Sequence, residues 1–440
     1  MAIDSRYYIH EDDKAALDAL KAIPGFTPLI KAFMKNWNEN QFRILNMSSR
    51  LRISEQQLPK YYRMLGPICE KLGIEVPELY IEMNVRPNAY TYGDTKPFIV
   101  MTSGLLDALP EELIPTVLAH ECGHIACHHT LYRTMGSLIL GGAAAIPGLG
   151  TMLTLPLQIA FAYWMRCSEF SADRAAILCE GNPENVIELC MRLSGYTKNI
   201  TETAQKDLFL QQAVEYKDLI KDNVLNQTME FMLLAGQSHP MTAVRAYEAN
   251  EWGKSDNVAK LLRYYAEEEA GQPHTVLPVS LSSDGMKGMN GEALKKLLNE
   301  AGFTDVTSQR TTQGDGAPES ISSVSFNGTE EFHAGTWFDV NTPIVLTCYI
   351  PLSAEEEKAL HPNEVQVPFR SRSVIGRDYS EVCMELVHAG FKNIFTVYSE
   401  DDRPLFSKDG GISRIEIGET DTFEQGDWFA PETKIRVIHY

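Results

Sequence analysis

The sequence predicts an α+β protein: a mostly helical region carrying one small β-sheet, followed by two small α+β modules in tandem. Three observations carry this. Apolar residues recur at helical spacing through much of the first 270 residues, for instance in Leu17–Leu20 and Tyr61–Leu72. Two short apolar runs, Leu79–Met83 and Phe98–Thr102, have strand character instead. After Gly271-Gln272-Pro273 the texture changes, and the remainder contains an internal repeat. A chain of 440 residues is too long for one ordinary core. The expected divisions are an N-terminal helical region 1–60, a main domain 61–270, and modules 275–352 and 369–440.

Taken in order, residues 11 to about 80 read as helical, and Gly73-Ile74-Glu75-Val76-Pro77 ends that run. The two strands flank Asn88-Ala89-Tyr90-Thr91-Tyr92-Gly93, which by composition is their connecting loop. Leu109-Pro110-Glu111-Glu112 opens a helix with acids at its positive end. Pro115 either kinks that helix or marks its true start. Helical texture returns from Arg166 to about Leu193 and from Thr203 to Leu234. In the last third, Gly288, Leu297 and Ala301-Gly302-Phe303 recur as Gly376, Glu385 and Ala389-Gly390-Phe391; Gly335-Thr336-Trp337-Phe338 recurs as Gly426-Asp427-Trp428-Phe429. The offset grows by three residues between the two sets, which places an insertion in a loop. Each copy predicts one amphipathic helix, alternating strands such as Val324–Phe326 and Ile415–Ile417, and a final strand.

Composition narrows the function. An apolar fraction of 44% and a charged fraction of 22% are those of a globular chain. A formal net charge of -20 without a basic cluster excludes a general nucleic-acid role. The 8 cysteines form no CxxC pair, and five crowd between 122 and 190, which predicts free, buried thiols in a reducing compartment. The N-terminus has neither a basic start nor an apolar stretch, so no signal peptide and a cytoplasmic location are expected.

The chemistry concentrates in His120-Glu121-Cys122-Gly123-His124. On a helix, residues i and i+4 share a face, so His120 and His124 can reach one Zn²⁺. Glu121, about 100° around the helix, can then take a proton from metal-activated water and return it to a leaving amine. The pentapeptide alone is a modest signal. Its apolar surroundings (Leu113, Val117, Leu118, Ile125, Ala126) strengthen it, because burying two histidines and a glutamate is costly unless a metal or hydrogen bonds satisfy them. A catalytic zinc needs a third protein ligand. Glu169 can supply it, and Asp173, one turn on, can accept the outer N–H of a ligand histidine; the bland reading is a charged helix face with Arg166 and Arg174. His128 and His129 read as polar residues at the end of the helix, held by its negative pole.

These motifs, with Asn88-Ala89-Tyr90, Gly104-Leu105-Leu106 and Glu111-Glu112-Leu113 in the same order, resemble the gluzincin metallopeptidases of the HtpX and CAAX prenyl protease type over roughly residues 60 to 250. The resemblance implies a zincin-like domain that hydrolyses peptide bonds, with one Zn²⁺ on His120, His124 and Glu169, and Glu121 as general base. It implies outer-sphere support from Asp173, an oxyanion-stabilising His239, and Arg245 beside the Glu169 carboxylate. It also implies an edge strand, Asn88-Ala89-Tyr90, against which peptide or unfolded-protein substrates would lie. Met241 departs from the pattern, where the family often has a second proline after the histidine. The tandem modules resemble PASTA-like repeats and are expected to bind a partner of unknown kind.

Met135 to Met165 contains no charged residue. A single membrane span would put His124 and Glu169 on opposite sides, and two spans need about 40 apolar residues. Pro147, Gly148, Gly150 and Pro156 break the run further. A buried helical hairpin, or peripheral membrane contact through 135–165, fits better than a span. The competing functional reading is a catalytically latent zincin that acts as a peptide-binding or chaperone-like protein through its C-terminal modules.

Overall fold

The structure is a computed structural model that describes residues 2–36, 39–140, 155–196, 204–220, 239, 241–313, 316–400 and 409–440. The chain forms two compact units, residues 1–308 with 323–346, and 309–322 with 347–440. The fold is α+β, as the sequence predicts.

In the first unit the helix α1 (Glu11–Ala22) starts on His10, whose Nδ1 accepts the Asp12 N–H, with three acids in the first turn. Helices α2 (Phe26–Asn36) and α3 (Glu39–Ser49) follow. The strand β1 (Leu51–Ile53) then interrupts what the sequence reads as continuous helix. Three residues leave no period to detect; pairing with a neighbouring strand makes them a strand. Helix α4 (Pro59–Leu72) has Pro at its first position and ends on Gly73 at φ +69°, a left-handed cap that glycine adopts without strain.

The sheet has the order β1-β2-β4-β3, with β2 at Glu78–Glu82, β3 at Ala89–Tyr92 and β4 at Phe98–Thr102. The two runs expected as a strand pair do pair, in parallel. The segment between them, read by composition as a loop, is itself the edge strand, antiparallel to β4. A parallel pair needs a long crossover, and part of that crossover has become a strand. The resemblance anticipated this where the composition did not.

Helix α5 (Ser103–Ala108) and a 3₁₀ turn at Glu111–Leu113 lead into α6 (Ile114–Ala126). Pro115 sits in the first turn of α6, where its missing N–H costs nothing, and so marks the start. Helices α7 (Thr130–Leu140) and α8 (Leu155–Glu180) flank residues 141–154, which lie outside the described residues, as do Pro147, Gly148 and Gly150 of the predicted hairpin. The described ends of the uncharged run pack inward: Met135, Ile139, Leu157, Phe161 and Trp164 share an apolar cluster with Leu20 and Phe26. Among the described residues, no helix is long and apolar enough to cross a membrane.

Gly181, at φ +81°, and Pro183 separate α8 from α9 (Glu184–Leu193). Helix α10 covers Lys206–Ile220; the rest of the stretch to Leu234 lies outside the described residues. Helices α11 (Thr242–Gly253) and α12 (Asp256–Glu269) complete the helical part. In the first repeat copy, β5 (Val276–Pro278) pairs with the strand Trp337–Asp339. Trp337 is buried in the same core as Leu118 and Ala176, with Tyr7 and Tyr264 at ring distances of 5.1 and 5.0 Å.

In the second unit, strands Ile394–Tyr398, Ile435–His439 and Ile412–Ile417 form a sheet in that order, the first pair parallel and the second antiparallel. The helix Tyr379–Ala389 adds Val382 and Leu386 to the core. The repeated Ala-Gly-Phe proves to be a helix cap: Gly302 and Gly390 have φ of +110° and +104° and close the helices Gly291–Ala301 and Tyr379–Ala389. The predicted insertion falls in the stretch containing 401–408, outside the described residues.

Candidate metal and active site

The site is assembled where α6 and α8 cross. Gly123 makes the approach close: a Cβ there would lie 2.7 Å from Ala175 Cβ and 3.1 Å from Ala172 Cα. Small residues on both helices let Glu169 and Asp173 reach the histidine face of α6.

His120, His124 and Glu169 are all buried. His120 Nε2 lies 3.4 Å from Glu169 Oε2, and His124 Nε2 lies 3.4 Å from Glu169 Oε1. The two imidazole nitrogens and Oε1 have no hydrogen-bond partner. Buried polar atoms are rarely left unpaired. Tetrahedral zinc with ligand bonds of about 2.0–2.1 Å has ligand-to-ligand edges of about 3.3–3.4 Å. The donor types, the nitrogen-to-carboxylate distances and the two imidazole nitrogens without a hydrogen-bond partner fit a zinc ion. Among the described residues, the group whose ligand atoms all lie within 4.8 Å of one another is His120, Glu169 and His239, without His124. In that group, however, both His239 nitrogens already have oxygen partners, Glu169 Oε2 at 2.7 Å and the Ala89 carbonyl at 2.8 Å, whereas His124 Nε2 has none.

The surroundings orient each group. His120 Nδ1 meets Asp173 Oδ1 at 2.8 Å, and Arg245 holds Asp173 through both carboxylate oxygens at 2.7 and 2.8 Å. Arg245 Nη1 is also 3.1 Å from Glu169 Oε2, and Arg133 Nη1 is 2.7 Å from Oε1 without hydrogen-bond alignment. Burial alone would raise the Glu169 carboxyl, but His239, Arg133 and Arg245 hold it well below the ordinary range. Burial would likewise raise Asp173, and Arg245 and His120 keep it low. Burial disfavours a charged His120, yet Asp173 and Glu169 raise it to about 9. His124 goes the other way, pushed well down by burial and by Arg133.

Glu121 is buried, its Oε2 accepting the Thr91 hydroxyl at 2.6 Å and its Oε1 3.7 Å from His239 Nε2. Thr91 and Ala89 face inward on β3, while Tyr90 and Tyr92 are only partly buried on its other side. A cleft of about 760 Å³ opens over His120 and Glu121, walled by Asn88, Ala89, Leu105, Val117, Leu189 and Leu193. Asn88 and Ala89 border it. Tyr90 does not: its hydroxyl is tied to Glu82 and Arg50, each at 2.7 Å.

One expectation is overturned. Helix α6 stops at Ala126, and His128, at φ +57°, turns the chain into solvent. His129 is buried, with Nδ1 3.0 Å from His124 Nδ1 and Nε2 2.8 Å from Asp13. The turn at His128 ends helical periodicity, so a pole-stabilised helix end was the wrong environment for His129. Thr91, Arg133, His129 and Asp13 were missed by sequence reasoning. Only Thr91 left a signal, its alternation with Ala89. Met241 has φ +63°, which a proline cannot adopt, so this departure from the family pattern belongs to a different backbone.

The model of peptidase family M48 matches residues 62–253. The plastoglobule-localized metallopeptidase 48 of Arabidopsis thaliana is 32% identical over 263 residues, covering 59% of this chain and 76% of that protein. A protease HtpX homolog of Trichormus variabilis is 26% identical over 242 residues, covering 48% and 79%. Among solved structures, S. mikatae Ste24p is similar at 20% identity and a TM-score of 0.26, over 53% of this chain and 64% of that one. The three-PASTA-domain of a Ser/Thr kinase from Staphylococcus aureus is similar at 15% identity and a TM-score of 0.17, over 37% and 65%. At these scores neither structural likeness bears on the assignment.

Proposed function

The chain belongs to peptidase family M48, and from that premise we propose that it is a zinc-dependent metalloendopeptidase whose single zinc ion is held by His120, His124 and Glu169. The observation that carries the reading is that the buried Nε2 atoms of His120 and His124 have no hydrogen-bond partner and each lies 3.4 Å from an oxygen of the Glu169 carboxylate. Zinc bound there would acidify a water molecule and polarise the scissile carbonyl.

The chain's own residues supply the rest. Glu121 takes the proton of the attacking water and passes it to the leaving amine; the Thr91 hydrogen bond aims its carboxylate. His239 directs an N–H towards the β3 edge, where it can meet negative charge developing on the substrate carbonyl oxygen. Asp173 and Arg245 act through His120 and Glu169 as positioning groups. An extended peptide adds to the edge of β3 along Asn88-Ala89-Tyr90 by backbone pairing, which suits peptides or unfolded proteins of varied sequence. Leu105, Val117, Leu189 and Leu193 offer an apolar wall to one substrate side chain.

Measuring zinc content alongside cleavage of casein, with and without a chelator, tests the reading. One zinc per chain and chelator-sensitive cleavage are expected. Glu121→Gln should retain zinc while kcat falls by about 10²–10⁴; undiminished turnover in that variant would remove Glu121 from the mechanism. No observation favours the reading as a latent binding protein. For location, the same proposal is a cytoplasmic protein with peripheral membrane contact through 135–165. Leu155, Ile159 and Tyr163 support it, one turn apart and exposed at the start of α8, and the Arabidopsis relative is plastoglobule-localized by name. Co-sedimentation with lipid vesicles checks it.

A further inference from the structure

The two ligand histidines are held from behind in different ways. His120 leans on a carboxylate, Asp173, which can only accept a hydrogen bond. His124 leans on another imidazole, His129, which can either donate or accept. The sense of that bond decides whether His124 can bind a metal at all. If His124 donates from Nδ1, its Nε2 lone pair is bare; if it accepts at Nδ1, a proton sits on Nε2 and points at the ion.

Asp13 settles the sense. It is buried on α1 and accepts hydrogen bonds from Trp164 Nε1 at 2.9 Å and from the Ser171 hydroxyl at 2.6 Å, and its Oδ2 lies 2.8 Å from His129 Nε2. A carboxylate oxygen and a bare ring nitrogen repel at that distance, so the His129 proton must lie on Nε2. Neutral His129 then presents Nδ1 as an acceptor, His124 must donate to it, and His124 Nε2 is left bare towards Glu169. The His129 backbone N–H, bonded to the His124 carbonyl at 2.9 Å, fixes the ring's position.

We propose that Asp13 and His129 form a positioning relay that locks His124 in its metal-ligating tautomer, making helix α1 a part of the metal site. The proposal rests on the zinc reading of His120, His124 and Glu169. Outer partners of ligand histidines typically change metal affinity by about 10–100-fold.

Asp13→Asn is the sharpest probe. Trp164 can only donate to residue 13, so the amide oxygen of an asparagine must face Trp164 and its NH₂ must face His129. That inverts the relay and places a proton on His124 Nε2. His129→Phe keeps an aromatic ring but has no acceptor. His129→Asn puts an amide oxygen near the position of Nδ1 and should restore the bond.

The experiment measures zinc affinity of the full-length chain by competition with a chromophoric chelator. It is run beside thermal melting of the zinc-free proteins and visible spectra of the Co²⁺-loaded ones. Asp13→Asn and His129→Phe should bind zinc about 10–100-fold more weakly with altered Co²⁺ bands, and His129→Asn should stay within a few-fold of the unsubstituted chain. Unchanged affinity and spectra in Asp13→Asn and His129→Phe overturn the relay. So does a His129→Asn protein that folds yet binds as weakly as His129→Phe. An unsubstituted chain that binds no zinc defeats the metal reading itself, an outcome distinct from a zinc-binding chain indifferent to residues 13 and 129.

Discussion

The interiors of the two units are built on opposite principles. Where α6 crosses α8, the first unit buries His120, Glu121, His124, Glu169, Asp173 and Arg245 against one another. The core of the second unit is apolar, made of residues such as Val382, Leu386, Ile415 and Val437, and its ion pairs lie on the surface. The second core gains from every apolar group removed from water. The first must offset the desolvation of each charge with a partner, and replacing such a network by apolar residues is often neutral or stabilising. The difference teaches that the α6–α8 interior is not built for apolar burial: its charges balance one another while the Nε2 atoms of His120 and His124 keep no hydrogen-bond partner, which is what the proposed ligand set requires.

Removing one member of that network should therefore cost most. Arg245→Leu leaves Asp173 and Glu169 as buried carboxylates short of a counter-charge, and the first unit should lose about 3–5 kcal/mol. Urea unfolding of the zinc-free protein measures it; a loss under about 1 kcal/mol would mean that the network is not coupled. In the second unit, Leu386→Ala should cost about 2–5 kcal/mol through cavity formation. Its loss should appear in the second unit's transition while zinc affinity stays unchanged.

Acid should separate the two units further. Asp13, Asp173 and Glu169 are held below their ordinary values in spite of burial. On acidification the unfolded chain takes up protons at these positions first. The stability they contribute is present above about pH 4 and is lost as pH falls through their folded values. His120, raised to about 9, has the opposite sign: its contribution is full below about 6.5 and fades as pH rises through 9. His124, pushed down, adds a loss as pH falls below about 6.5, so the zinc-free first unit should be most stable near that pH and melt at lower temperature on either side, while the second unit's transition should move less. Smaller again is Gly123→Ala. Its Cβ would press on Ala175, costing about 1–3 kcal/mol, and should weaken zinc binding by moving Glu169.

How legible each region was follows from the range of the interactions that build it. His120, Glu121 and His124 were readable because helical geometry acts within one turn. Glu169 with Asp173 repeated that geometry on a second helix. The repeat was legible through glycines, since positions such as Gly302 and Gly390 need a left-handed backbone whatever surrounds them. His129 and Asp13 were not legible. They meet only because α1 packs on α8, and nothing local in Glu11–Ala22 distinguishes Asp13 from the other acids of its first turn. Tyr90 shows the limit of the motif from the other direction. The motif marked the strand correctly, but the period of two turns the Tyr90 side chain towards Glu82 and Arg50, away from the cleft.

The smallest expected effect closes the comparison from the other side. Arg377 and Glu385 form an ion pair in the second unit, both side chains more than a third exposed. Glu385 stands where the first repeat has Leu297, a position that is itself partly exposed, so neither copy uses it to build its core. Exposed pairs gain little Coulomb energy in water and lose side-chain freedom, which leaves about 0.2–1 kcal/mol. Arg377→Ala should shift the second unit's urea midpoint by no more than that, and the shift should shrink as salt is raised. A loss comparable to that of Arg245→Leu would mean that burial is not what separates the two networks. The charged interior at His120 would then need an explanation other than desolvation.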